Sequence, residues 1–396
     1  MAGRPQPQTT AQPQGGPFVR HAPSGRRAMY TSTQGFGGFV ASPMVSSPGW
    51  NKGYKAVFSA SAGTNSTNTV TAAADAPYNF LQLIQMKDAF GTQLLTGPGY
   101  EIAYLVPLYS GQFGLDNMRS PLNSPQYSPI TTGSTSSQVG AFTFSTYFPF
   151  EFAKGYGVIS GANAALLPVL QINLNTSASV YTSAPATVPG TFLHTIDSDF
   201  YWLPNIPTDP PGIGTTCQWV YQPSNPTIGS SASTVVQLPR LGGYLTMLIL
   251  EMRDVNGARL PETSTSSNYG WPLRPKVLVD GVPLVDSLFT TLQEDLAIST
   301  GIGAGMLATA GPGGAAGTVP VPRPTGTIGI NYKASLSQRD LGLFDTGETF
   351  VSTNPGTQIE IAGYPWGAIT SGPATLNAVV GQVVPSGTLI QGLPEV

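Results

Sequence analysis

Met86-Lys87-Asp88-Ala89-Phe90-Gly91-Thr92-Gln93-Leu94 and Met252-Arg253-Asp254-Val255-Asn256-Gly257-Ala258-Arg259-Leu260 are nearly the same phrase, 166 positions apart (252 − 86). Each follows an apolar run that reads as a β-strand, Phe80 to Met86 and Tyr244 to Met252, so one strand-turn-strand corner is used twice. Gly91 supplies the positive φ that such a corner often needs. A second pair follows the first in both halves: Pro168-Val169-Leu170-Gln171-Ile172-Asn173-Leu174 and Pro355-Gly356-Thr357-Gln358-Ile359-Glu360-Ile361, offset by 187 (355 − 168). Preserved order points to two copies of one β domain. Asp88 and Asp254 each stand beside a basic residue and shortly before a turn glycine. They read as corner formers at equivalent positions of the two copies, not as catalysts.

Composition agrees with a duplicated β architecture. At 396 residues the chain exceeds the size at which one core keeps growing, so two domains of roughly 150 residues are expected. Only 9% of residues are charged, while Gly (47) and Pro (37) are abundant. Long helices tolerate Gly and Pro poorly, whereas short strands punctuated by turns use them freely. The fold class is therefore all-β. So little charge also implies that much of the outside is hidden against other subunits, the alternative being a surface kept soluble by Ser, Thr, Asn and Gln. A net charge of −3 gives no ground for nucleic-acid binding by the whole chain.

Residues 1–50 form a candidate flexible arm, rich in Pro, Gln, Gly and Ser and without periodicity. No acid occurs before Asp75, and Arg4, Arg20, Arg26, Arg27, Lys52 and Lys55 supply six of the 17 basic residues. Arg4, Arg20, Arg26 and Arg27 are the candidate contacts to an anionic surface, lipid headgroups or nucleic acid; a solvated tail is the plainer reading. Residues 51–203 are expected to form the first sandwich. Within it Tyr100, Ile102 and Tyr104 alternate as a strand would, and Phe142, Phe144, Phe148, Phe150 and Phe152 punctuate an aromatic-rich pair of strands whose rings belong to the core. Residues 204–234, with Pro204, Pro207, Pro210, Pro211, Pro223 and Pro226, read as a stiff connector holding strand pieces. The second sandwich is expected over 235–396, with an amphipathic helix on Leu284, Val285, Leu288, Phe289, Leu292 and Leu296 and a long exposed loop over 299–326.

Few residues could carry catalysis. His21 is placed in the arm, His194 in a loop, and Cys217 is the sole cysteine, read as an inert buried thiol. Gly301-Ile302-Gly303-Ala304-Gly305 lacks the preceding strand and following helix of a phosphate-binding turn. The acids Asp197, Asp199, Glu294 and Asp295 are only sequence-local pairs. No cofactor, metal site or enzymatic activity is expected. Without a membrane-length apolar run or a signal-peptide core, synthesis in a cytoplasm is expected.

Three stretches resemble the double jelly-roll major capsid proteins of tailless icosahedral viruses, the tectivirus-like and adenovirus-like lineage that includes membrane-containing bacteriophages. They are Ala76-Pro77-Tyr78-Asn79-Phe80-Leu81 running to Tyr100-Glu101-Ile102, Val236-Gln237-Leu238-Pro239-Arg240-Leu241-Gly242-Gly243-Tyr244 running into the second corner, and Asp345-Thr346 with Thr357 to Ile361. The resemblance implies two consecutive eight-stranded antiparallel jelly-roll sandwiches. It further implies homotrimers of pseudo-hexagonal outline tiling an icosahedral virion shell, with neighbouring capsomers, minor capsid and vertex proteins, and an internal viral membrane as partners. Pro5, Pro7, Pro13 and Pro17 depart from the short membrane-facing helix of such relatives, leaving the arm's orientation open. The competing reading is a phage receptor-binding or lectin-like jelly roll, which needs exposed Trp or Tyr beside paired carboxylates. Trp50, Trp202, Trp219, Trp271 and Trp366 are too scattered to assemble such a site from sequence.

Overall fold

A computed structural model describes residues 22–41, 49–60, 63, 69–88, 91–110, 140–151, 157–161, 167–202, 215–223, 227–228, 234–238, 243–261, 270–292, 294, 306–310, 316–320, 324, 326–332, 351–353, 356–363, 369–370 and 374–385. Among them two sets of eight strands carry the architecture. The first comprises β1 Ser24–Gln34, β2 Phe39–Ala41, β3 Gly49–Ala60, β4 Leu81–Lys87, β5 Gln93–Gly97, β6 Phe142–Pro149, β7 Val169–Leu174 and β8 Phe192–Trp202. The second comprises β9 Thr215–Gln222, β10 Thr234–Gln237, β11 Tyr244–Arg253, β12 Lys276–Val279, β13 Val282–Asp286, β14 Thr327–Asn331, β15 Ile359–Gly363 and β16 Ala374–Pro385.

Sheet orders in the first set are β1-β8-β3-β6 and β2-β7-β4-β5; in the second they are β9-β16-β11-β14 and β10-β15-β12-β13. Adding eight to every label of the first set gives the second. Neighbours within each set pair antiparallel. Two four-stranded sheets with this order, first strand beside last, make an antiparallel jelly-roll sandwich. The chain is all-β, two such sandwiches in succession.

The duplication is real, but the opening pair of phrases does not mark it. Counterpart strands lie 195 residues apart at β3 and β11 (244 − 49) and 190 apart at β7 and β15 (359 − 169). The second sequence pair, at 187, falls in this frame. The first, at 166, does not: Asp88 follows the fourth strand of its sandwich and Asp254 the third of its own. Their backbones still coincide. Asp88 N donates to Thr92 O and Gly91 N to Asp88 O, as Asp254 N donates to Ala258 O and Gly257 N to Asp254 O. Asp88 Oδ1 accepts from Thr92 N and Asp254 Oδ1 from Ala258 N. Gly91 and Gly257 sit at φ +86° and +78°, so the shared phrase encodes a turn that either connection can use.

Other expectations shift. Ser24–Gln34 and Phe39–Ala41 lie inside the stretch read as an arm yet are strands β1 and β2, because each pairs with a strand, β8 or β7, that comes much later in the chain. Thr215–Gln222, inside the expected connector, is the opening strand of the second sandwich. Tyr100, Ile102 and Tyr104 are helical. Helix α1 is wide-turned over Tyr100–Leu105 and regular over Val106–Tyr109, and every residue of it is buried, so no polar face was left to betray its period. Leu284 and Val285 belong to strand β13, since Asp280 at φ +50° and Gly281 at +78° turn the chain into a β12–β13 hairpin; helix is found only from Phe289 on, over 289–292. Within the expected loop over 299–326, Met306–Ala310 and Ala316–Pro320 pair as a hairpin. His194 lies in β8, not in a loop.

Two cores follow from the alternation. The first gathers Tyr54, Ala56, Phe58, Phe80, Phe142, Phe144, Phe148 and Phe192, with Phe58 stacked on Phe144 at 5.1 Å. Phe142, Phe144, Phe148 and Phe150, predicted to be core, are buried there, and Phe152 lies outside the described residues. The second gathers Leu248, Leu250, Met252, Trp271, Val277, Ile359, Ile361, Leu376 and Val380.

Candidate functional site at the junction of the two sandwiches

Strand β11 is buried at nearly every position, which a sheet with one wet face would not require. Its alternate residues serve different cores: Leu248, Leu250 and Met252 face their own sandwich, while Met247 and Ile249 pack with the first one. β16 divides likewise, Val380 and Leu376 inward, Val379 and Val383 outward. Cys217 and Trp219 of β9 join this outward layer, so the thiol is buried as expected. A Cβ at Gly381 would meet Trp219 Cζ3 at 2.5 Å, which is why glycine stands opposite the indole. β5 runs parallel to β9, Leu95 level with Trp219 and Thr96 with Val220, and this ladder joins the sandwiches edge to edge. α1 follows β5 and packs against the same layer, where Tyr109 Oη and Thr327 Oγ1 share a hydrogen bond.

Over this apolar junction lies an ionic cluster that spends three of the chain's 20 acids and two of its 17 bases. Arg253, at the end of β11, reaches Asp75 Oδ2 at 2.7 Å, Glu101 Oε1 at 3.3 Å and Glu251 Oε1 at 2.8 Å. Arg253 Nη1 also donates to Gly257 O at 2.8 Å, tying the second corner to the junction. Arg259 holds the other oxygen of Asp75 at 3.2 Å, donates to Tyr100 Oη, and lies 4.5 Å over the Tyr100 ring. Asp75, Tyr100 and Glu101 come from the first sandwich; Glu251, Arg253 and Arg259 come from the second.

Glu251 is 2% exposed. Burial above all, then the neighbouring Glu101, pushes its carboxyl well above the usual glutamate range, against the pull of Arg253. Burial works against the charge on Arg253, but Glu251, Asp75 and Glu101 outweigh it and raise its pKa above that of a free guanidinium. Burial likewise raises the Tyr100 hydroxyl. The arrangement is a clamp between the two sandwiches. Sequence reasoning passed over Asp75, Glu101, Glu251 and Arg259. One signal was present: Glu101 and Glu251 each interrupt an apolar run, where an acid has to find a buried partner.

The predicted arm residues divide. Arg4, Arg20 and His21 lie outside the described residues, while Arg26 and Arg27 stand exposed on β1, level with Asp199 and Ser198. Nearby Lys52 pairs with Asp199 at 3.2 Å, Tyr147 donates to Asp199 Oδ2 at 3.3 Å, and Lys52 lies 4.8 Å over the Tyr201 ring. The Lys55 pKa is lowered by partial burial and by Arg26, with Asp197 and Asp199 opposing. His194 sits between Tyr30 and Phe58, and burial lowers its pKa. Trp366 and Asp345 lie outside the described residues. Trp219 and Trp271 are buried, which removes two of the rings a carbohydrate platform would use. Among the described residues no group of three or more His, Cys, Asp or Glu is placed to hold a metal ion, and no helix is long and apolar enough to cross a membrane.

Two jelly rolls in tandem, joined by a shared ladder, are the double jelly-roll fold of viral major capsid proteins. Solved structures that match over nearly the whole chain bear this out. The STIV MCP has a TM-score of 0.57 at 13% identity, covering 94% of this chain and 100% of its own. The PBCV-1 virus capsid follows at 0.53 and 13%, covering 92% and 94%. The Faustovirus major capsid protein is at 0.53 and 10%, covering 95% and 92%. No family model matches the chain, and no curated protein matches it by sequence. At such low identities the likeness lies in the fold.

Proposed function

We propose that this chain is a major capsid protein that self-assembles as trimers of pseudo-hexagonal outline into an icosahedral virion shell, built over an internal membrane in a bacteriophage of the tectivirus-like kind. One observation carries the reading: two topologically identical sandwiches fixed edge to edge by a buried junction. Three such pairs present six equivalent walls, so a few contact types can tile a closed surface. The fold shared with viral capsid structures supports it, as does a chain in which only 9% of residues are charged. Partners on this reading are neighbouring capsomers, minor capsid and vertex proteins and the viral membrane, after synthesis in the host cytoplasm. The basic stretch carrying Arg4 and Arg20 is its contact with an anionic surface.

Light scattering followed by negative-stain imaging tests this most directly. A trimer of hexagonal outline is expected; a monodisperse monomer that binds glycans would sink the capsid reading. Deleting residues 1–21, which stops short of β1, is expected to leave trimers intact and weaken binding to anionic liposomes. Equal liposome binding by the truncated chain rejects the membrane-facing arm.

A further inference from the structure

His194 lies on the inner face of β8, 1% exposed, level with Ser32 of β1 and Phe58 of β3. The ring centroid of Tyr30 is 5.3 Å away and that of Phe58 6.3 Å. Both imidazole nitrogens are buried, and neither has a hydrogen-bond partner among the described residues. A neutral imidazole suffers less from this than an imidazolium, which brings two N–H donors and a charge. Tyr30 from β1 and Phe58 from β3 face the ring, and no charged side chain of these three strands (Arg26, Arg27, Lys52, Lys55, Asp197, Asp199) contributes to its pKa. Burial lowers that pKa, and the Phe192 backbone opposes it only in part. The two ring faces attract a cation weakly compared with the water it gives up.

We infer that His194 is an acid-operated catch: on taking a proton it releases β1 from the edge of its sheet while the rest of the first sandwich stays folded. β1 is the shallower of the two strands beside His194. It lies at the sheet edge, only Met29 of its 11 residues is buried, and its pairing with β8 shifts register between Ala28 and Tyr30. β3, on the other side of β8, is buried at every second position or more and pairs with β6 as well. Local opening begins where the least apolar surface is given up. Phe36, edge-on to Phe192 at 4.5 Å, anchors the chain after β1, so the strand swings out from there. Moving Tyr30 away wets His194, which then titrates at the ordinary histidine value of about 6.5. Opening therefore takes up a proton. It is suppressed above that value and favoured by up to about tenfold per pH unit below it, levelling off at the lowered value of the closed state. The strand that comes away carries Arg26 and Arg27 and no acid, extending the basic stretch of Arg4 and Arg20. The inference holds whether or not the chain builds a shell.

Hydrogen exchange on the full chain, read as protection factors at about pH 7 and about pH 5, tests it. The β1 amides are expected to lose protection about tenfold on acidification, and those of β3 and β6 less than about twofold. His194→Phe, which keeps a ring and cannot ionise, is expected to hold β1 protection level between the two pH values. Unchanged protection in the unmodified chain, an equal loss in His194→Phe, or a loss shared by β3 and β6 overturns the catch. The chain has only two histidines, so ring signals from isotope-labelled histidine, assigned with His21→Gln, give a second readout that leaves position 194 untouched. The His194 ring is expected to titrate below about pH 6.5, in step with the loss of β1 protection. A midpoint at or above that value overturns the catch even if His194→Phe fails to fold.

Discussion

The sheet β9-β16-β11-β14 and its counterpart β1-β8-β3-β6 share a strand order and differ in what lies outside them. The second is pressed against the first sandwich, so β11 reads Leu245-Thr246-Met247-Leu248-Ile249-Leu250, apolar on both faces. The first has an outer face of Lys52, Lys55, Val57 and Ser59 on β3, all partly exposed, alternating with buried Tyr54, Ala56 and Phe58. Topology was duplicated; environment was not. Period-two alternation survives where one face meets water and disappears where both faces are covered. The ionic groups differ in their acids: Arg253, 15% exposed, meets the buried Glu101 and Glu251 as well as Asp75, whereas Lys52, 14% exposed, pairs with Asp199 at 17%.

Removing one member of each ionic group gives the largest contrast. Arg253→Ala leaves Glu101 and Glu251 buried, and Asp75 half-buried, without their shared cation and is expected to cost about 3–5 kcal/mol. Lys52→Ala, which leaves no fully buried carboxylate behind, is expected to cost about 1 kcal/mol. Urea unfolding of both variants checks this, and equal losses would erase the distinction between the two faces.

A smaller effect separates the faces by pH. The folded chain keeps a proton on Glu251 that the unfolded chain gives up above its ordinary value of about 4.3. Stability from this group is therefore full below that value and falls as pH rises toward the raised folded value, by at most about 1.4 kcal/mol per pH unit. Glu251→Gln, which keeps the shape and cannot ionise, is expected to flatten this slope and to be more stable than the parent near neutrality. A variant whose pH profile superimposes on the parent's would show that Glu251 does not hold the proton.

The smallest expected difference concerns the two corners, whose backbones coincide. Gly91→Ala and Gly257→Ala each force a side chain into positive φ and are expected to cost about 1–2 kcal/mol, nearly equally. A Cβ at either position meets nothing within 4 Å, so backbone conformation alone sets the cost. Thermal melts that differ by much more than this would mean that the corners' surroundings, and not their shared phrase, decide their stability.

Much of the fold was legible. The aromatic runs, the β4, β7, β11 and β15 strands and the all-β class came from composition and alternation, and the Pro168/Pro355 pair located the repeat correctly. The failures have physical reasons. β1 is an edge strand short of apolar residues, β2 is only three residues long, and their pairing partners β8 and β7 lie far along the chain. α1 passed for a strand because full burial erased its polar face. Leu284 and Val285 fit a helical face until the Asp280-Gly281 turn made them a strand.

By itself the sequence determined an all-β chain built twice, the identity of the rings in the first core, and the form of two tight corners. These follow from local chemistry: side-chain alternation, β-branched and aromatic preference, and glycine where φ is positive. Only the tertiary structure decided that the corners occupy different places in their sandwiches, that β5 lies beside β9, and that Asp75, Glu101, Glu251, Arg253 and Arg259 meet. Those outcomes depend on which distant edges come together, and a short phrase carries no record of its partner across the fold.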